Sequence, residues 1–169
     1  MNAEEFKQQF YPFHPKLYRI AYVLLNNADD AEDILQDLYY KLWNKRDDLA
    51  AVQQPEAYCI TLIKNLCMDF LRLAKNRINS EDIETLKLAT DITPESELES
   101  EEKIGMIDSL INRLPVKQQI VIRLRGCGDC TLEEIETVTG ESPVHVRVLL
   151  SRARKTLKDM LVSKQMMKE

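Results

Sequence analysis

Glycine and proline are scarce, four and six residues of 169. That is too few turn formers for a many-stranded β-sandwich, so the chain leans helical. Long apolar runs are missing as well. The longest, Ile20–Leu25, spans six residues, against the ~18 that suggest a membrane span. The opening stretch, MNAEEFKQQF, lacks the basic and apolar segments of a secretion signal. Four cysteines without such a signal are expected as reduced thiols rather than a disulfide framework. There is no Gly-rich phosphate loop, no HExxH and no nucleophile–base–orienter set. What remains is 44% hydrophobic and 30% charged, an ordinary globular balance that excludes wholesale disorder. A soluble, cytoplasmic, non-enzymatic helical protein is expected, with no catalytic residues, metal or cofactor and no direct membrane insertion.

Net charge is −5, which on its face disfavours nucleic acid as a partner. The acidity is local, however: residues 1–80 are net −1, residues 81–100 net −6 and residues 101–169 net +2. Within Arg147–Lys158 there are five basic residues and no acid. Such asymmetry says more about partners than the overall balance does.

Apolar residues recur at helical spacing at Ala31, Ile34, Leu35, Leu38 and Leu42, with Asp29, Asp30, Glu32 and Asp33 at the start of the stripe, where a helix dipole favours negative charge. A second stripe runs Cys59, Leu62, Ile63, Leu66, Phe70 and Leu73, with Thr61, Asn65, Asp69 and Arg72 along another face. The stretch 81–100 supports at most one short helix, at Ile83, Leu86 and Leu88, and Thr93–Glu102 has little to bury. A second helical set follows from Glu101. The expected fold is all-α: two small helical domains, 1–80 and 101–169, on a flexible acidic linker, 81–100.

Thr131 and Glu134 have capping-box spacing, Gly140 ends the helix they start, and Ser142–Pro143 opens the next. Helix, short turn with glycine, helix is the outline of a helix-turn-helix. In its second helix Val146, Leu149, Leu150, Ala153 and Leu157 form the buried side. Arg147, Val148, Ser151, Arg152 and Lys155 face outward, where this motif meets base edges and phosphates in the major groove. Arginine suits guanine O6/N7 through its bidentate fork, while lysine neutralises phosphate without reading sequence.

The run Leu114–Pro115, Gln119, Leu124–Arg125, Leu132–Ile135, Ser142–Pro143, Val146–Arg147 and Ser151–Leu157 resembles region 4 of an extracytoplasmic-function (ECF) sigma factor, an alternative initiation subunit of bacterial RNA polymerase. Ala31–Asp37 with Lys41–Trp43 resembles the polymerase-binding helix of region 2, and Pro55–Tyr58 with Ile63–Arg72 the promoter-contacting helix after it. The resemblance covers nearly the whole chain. It implies that Asp33, Gln36 and Asp37 bind the clamp of core RNA polymerase. Asn65 would read an extruded base of the −10 element, in a pocket completed by the loop Lys45–Gln54, while Arg72, Lys75 and Arg77 hold the strand backbone. Arg147, Val148, Ser151, Arg152 and Lys155 would contact the −35 element. The linker, including Glu95–Glu102, would lie in a basic nucleic-acid channel of the polymerase. Promoter DNA and core polymerase are the implied partners, with an anti-sigma factor as the family's common inhibitor.

The chain departs from the family at several positions. Tyr58 stands where tryptophan is frequent and Thr61 where arginine is. Val144, His145 and Leu149 replace a glycine, a threonine and a basic residue, which leaves Arg147 and Arg152 to carry more of the −35 readout. Cys127-Gly-Asp-Cys130 has redox or zinc-knuckle spacing but no second pair nearby. Set against the family pattern both fall at positions usually filled by apolar residues, so the resemblance implies thiols buried as small hydrophobes. His14, beside Pro15, is expected to be structural. Two rivals stand beside the sigma-factor reading. A stand-alone helix-turn-helix regulator leaves Ala31–Trp43 and Asn65 without work, and a metal or redox switch would centre on Cys127 and Cys130.

Overall fold

Local chemistry marks the helix starts. In the computed structural model, which describes residues 1–78 and 99–167, Asn2 caps α1 (Ala3–Phe10): its side chain accepts from Glu5 N at 2.8 Å while the Glu5 carboxylate accepts from Asn2 N at 3.0 Å. A 3-10 turn at Tyr11–Phe13 leads into α2 (His14–Leu25), with Pro15 in its first turn, where the missing N–H has no partner to lose. Asn26 ends α2 at φ 54°, a left-handed cap that asparagine tolerates. Asn27 caps α3 (Ala28–Asn44), accepting from Asp30 N at 2.9 Å. A single turn, α4 (Arg46–Leu49), sits inside the predicted loop before α5 (Pro55–Ile78).

The second half comprises α6 (Glu99–Ile111), α7 (Val116–Gly126), α8 (Leu132–Thr139) and α9 (Pro143–Met167). The described residues are all helix, turn or coil, with no strand. Most of the predicted linker and the short helix around Ile83, Leu86 and Leu88 lie outside the described residues. Its last two residues are helical, because α6 begins at Glu99 rather than 101.

Of the predicted stripes, that of α3 is buried throughout, whereas in α5 Cys59, Ile63 and Leu66 are buried, Leu62 and Phe70 are half-buried, and Leu73, farther along the helix, is 63% exposed rather than in the core. Ala31, Ile34, Leu35, Leu38 and Leu42 of α3 pack with Leu17, Ile20 and Ala21 of α2 and Cys59, Ile60, Ile63 and Leu66 of α5. Trp43 meets Phe6 edge-on at 5.2 Å, and the Arg46 guanidinium lies over the Trp43 ring at 4.1 Å. In the second half Val121, Leu124, Ile135, Val138, Val146, Leu149 and Leu150 are buried. The Gln119 side-chain amide donates to the carbonyls of Leu114 (2.6 Å) and Asn112 (3.0 Å), clasping the turn between α6 and α7.

The two halves are in contact. α7 packs on α2 and α8 on α5, and one hydrophobic core runs through both. At the seam Lys16 of α2 donates to Glu56 of α5 at 2.8 Å and to both carboxylate oxygens of Glu134 of α8, at 3.1 and 3.2 Å. Burial alone would lower the Lys16 pKa, but the hydrogen bonds and charges of Glu56 and Glu134 outweigh it and the net shift is upward. The Glu134 carboxyl moves the other way: burial opposes ionisation, yet the Thr131 N–H and Lys16 hold it below the ordinary glutamate value. Each partner of the bridge therefore favours the charged form of the other.

Candidate polymerase and nucleic-acid interfaces

α3 turns its stripe inward and leaves Asp33, Gln36 and Asp37 exposed on the opposite side. Tyr40 shares that face, one turn beyond Gln36 and Asp37, and is 69% exposed. Sequence reasoning passed over Tyr40, though its i+3/i+4 relation to the expected contact residues was a usable signal. Aromatic side chains on a polar face are enriched at the anchoring points of protein interfaces.

On α5, Asn65 is exposed on the wall of an open cavity of about 560 Å³. Val52, Gln53 and Gln54 come from the preceding loop, and Ala57, Tyr58, Thr61 and Leu62 from the first turns of α5. Three neutral carboxamides thus stand beside an aromatic ring, a hydroxyl and three aliphatic groups. Carboxamides present donors and acceptors together, and an aromatic face accepts a stacked base, so the cavity matches the chemistry of an unpaired nucleobase. Farther along α5, Arg72 and Lys75 are exposed, and Arg72 pairs with Asp69 one turn back. Arg77 lies on the same helix, its side chain beyond what is described.

The helix-turn-helix forms as its residues dictate. The Thr131 hydroxyl accepts from Glu134 N at 3.1 Å and the Glu134 carboxylate from Thr131 N at 2.8 Å, completing the capping box of α8. Gly140 ends α8 at φ 74°, and the Ser142 hydroxyl accepts from His145 N at 3.2 Å to open α9. Val146, Leu149, Leu150 and Ala153 are buried. Of the expected DNA contacts Arg147, Ser151, Arg152 and Lys155 are exposed, and Val148 is half-buried. Among the described residues no carboxylate is ion-paired with any of these bases. Glu141, in the turn, pairs with His145 and with Lys117 of α7 at 3.1 Å, and its carboxyl is held below the ordinary value first by the His145 hydrogen bond and then by Lys117.

The cysteine pair is a helix-ending turn. Cys127 N and Gly128 N both donate to Arg123 O, at 2.9 and 3.0 Å, Cys130 N donates to Leu124 O at 3.0 Å, and Asp129 sits at φ 54°. Cys130 is buried as expected, and burial pushes its thiol up to about 11, away from the reactive thiolate. Cys127 is not buried: the turn leaves it exposed, contrary to the expectation for both. Among the described residues no three His, Cys, Asp or Glu side chains come together in a group that could hold a metal ion. His14 bonds the Tyr39 hydroxyl at 2.8 Å and stacks on its ring, a structural role. No helix among the described residues is long and apolar enough to cross a membrane.

Comparison with known proteins agrees with this layout. The family model described as Sigma-70 region 2 matches residues 10–77, and that described as Sigma-70, region 4 matches residues 104–157. The chain is 28% identical over 149 residues to RNA polymerase sigma factor SigV of Bacillus subtilis (strain 168), covering 88% of this chain and 86% of that protein. It is 25% identical over 158 residues to ECF RNA polymerase sigma factor SigW of the same organism, covering 88% and 84%. In fold it is similar to RpoE in the co-crystal structure with the anti-sigma factor NepR from Bartonella quintana, at a TM-score of 0.66 and 23% identity over 94% of this chain and 98% of that one. It is also similar to CnrH in complex with the cytosolic domain of CnrY, at 0.59 and 19% over 96% and 90%. The region 2 match accounts for the half of the chain that a stand-alone helix-turn-helix regulator leaves idle. With both regions matched in order, the chain belongs to the sigma-70 family as an ECF-type sigma factor, a specificity subunit of RNA polymerase that directs transcription initiation and is not an enzyme.

Proposed function

We propose that this sigma factor divides promoter recognition between two faces of different chemistry. Asp33, Gln36 and Asp37, with Tyr40 beside them, dock on the clamp of core polymerase. The Asn65 cavity takes an extruded −10 base, while Arg72, Lys75 and Arg77 hold the strand around it. Arg147, Val148, Ser151, Arg152 and Lys155 sit on duplex −35 DNA. The carrying observation is the contrast between a neutral, carboxamide-lined cavity and a basic helix face without ion-pair partners among the described residues. The first suits reading an unpaired base, the second gripping a charged duplex. The acidic stretch near 81–100 supports its role as the linker between them, placed in a basic channel of the polymerase. Core enzyme and promoter place the work in the cytoplasm, and an anti-sigma factor covering the exposed faces is the regulator in this reading.

Run-off transcription with purified core polymerase tests it. The chain should confer start-site selection on core enzyme, and Asn65→Ala should lower initiation without lowering core binding. A purified chain that fails to bind core polymerase lacking its specificity subunit would overturn the proposal.

A further inference from the structure

The recognition helix opens on a valine in water. Val144, the second residue of α9, is 69% exposed. At ~100° per residue, Val144, Val148, Ser151 and Lys155 fall on one line along α9. That line lies opposite the buried Val146, Leu150 and Ala153. Val144 therefore leads the face that a helix-turn-helix presents to the groove, and it is the N-terminal residues of that face which reach base edges.

The polar side chains of the same turn already hold partners within the protein, although Ser142 itself is exposed. The Ser142 hydroxyl accepts from His145 N, and the His145 ring bonds Glu141, which Lys117 holds from α7. What the tip of α9 offers to a base pair is then a branched apolar group, with Arg147 one turn behind. The major-groove edges of the four base pairs carry one apolar group between them, the 5-methyl of thymine. A β-branched side chain on a helix has essentially one rotamer, so Val144 holds its methyls in place before DNA arrives.

We propose that Val144 reads a thymine methyl in the −35 element, beside the base pair that Arg147 contacts. This rests on the −35 assignment of α9 and adds a specificity residue to it.

A holoenzyme of core polymerase and this chain would select bound duplexes from a pool randomised across the −35 element. The expected result is a thymine enriched next to an Arg147-dependent guanine. Val144→Ala should erase the thymine preference and keep the guanine, and Val144→Ile should restore the thymine. Replacing that thymine by deoxyuridine removes the methyl alone. It should weaken wild-type binding roughly fourfold, the worth of one buried methyl-sized group, and leave Val144→Ala binding unchanged. Wild-type binding indifferent to deoxyuridine, or a Val144→Ala chain that still selects thymine, would overturn the inference. If Arg147→Ala relaxes the guanine preference in the same selection, that failure belongs to Val144 alone; if Arg147→Ala changes nothing, the −35 assignment of α9 fails with it.

Discussion

Asn65 and Arg147 are assigned to reading bases, and Lys155 to holding a phosphate, and the three should fail in different ways. Asn65 shares its cavity with Gln53 and Gln54 and with no ionised group, so its loss removes hydrogen bonds and leaves the local field intact. Asn65→Ala should slow strand opening about 5- to 150-fold, on ~1–3 kcal/mol for a bidentate base contact, with duplex −35 binding unchanged; permanganate reactivity of unpaired thymines measures it. On α9, Lys155→Ala should keep sequence preference and flatten the salt dependence of −35 binding by about one unit. Arg147→Ala should relax preference at one base pair at ~1–3 kcal/mol; equal weakening on all sequences would contradict its role. Arg72 starts paired with Asp69, but an exposed i,i+3 pair is worth only ~0–1 kcal/mol, so surrendering it to a phosphate costs little.

Each helix of the helix-turn-helix was legible because its boundaries are written locally. Thr131 and Glu134 stand three residues apart, Gly140 supplies the left-handed cap, and Ser142–Pro143 restarts the chain, so the signals lie within a turn of the structure they cause. The one-turn α4 was not legible, since four residues carry no apolar period. Nor was the exposure of Cys127. The spacing of Cys127-Gly-Asp-Cys130 marks a turn, but which thiol points inward depends on how Arg123 O and Leu124 O collect the following N–H groups. The same turn separates two glycines. A Cβ on Gly126 meets open space, whereas one on Gly128 would lie 2.8 Å from Leu124 O, a backbone atom that cannot step aside. Gly126→Ala, in the last turn of α7, should be neutral or stabilise by up to ~1 kcal/mol. Gly128→Ala should destabilise by ~1–3 kcal/mol through overpacking. Urea midpoints measured on the two variants should fall on opposite sides of, or one level with and one below, that of the parent.

The contact between the halves joins residues 118 apart, Lys16 and Glu134, and no periodicity or cap signal reaches that far; the sequence therefore reads as two domains on a tether, and the seam emerges only in three dimensions. It has a consequence for mechanism. A packed chain of this length is about 40 Å across, whereas elements named −10 and −35 lie some 25 base pairs apart, about 85 Å at ~3.4 Å each. Engaging both at once requires the halves to part, and under the proposed linker assignment a stretch of about 20 residues, if fully extended, would reach roughly 70 Å. The seam is polar at its edge, and pH should act on it with a definite sign. Glu134 is depressed from 4.5, so its contribution is complete above that value and fades as pH falls through the lower folded one; Lys16 is raised from 10.5, so its contribution holds below that value and fades as pH climbs through the higher folded one. Lys16→Glu sets three carboxylates together at the seam. Its radius of gyration by small-angle scattering should exceed the roughly 15 Å of the packed chain, with helix content by circular dichroism preserved. Because Lys16 lies apart from Asp33, Gln36 and Asp37 on α3, this variant should bind core polymerase at least as well as the parent. A radius that stays at the parent's value would mean that the apolar packing of α7 on α2 and α8 on α5 closes the molecule without the bridge.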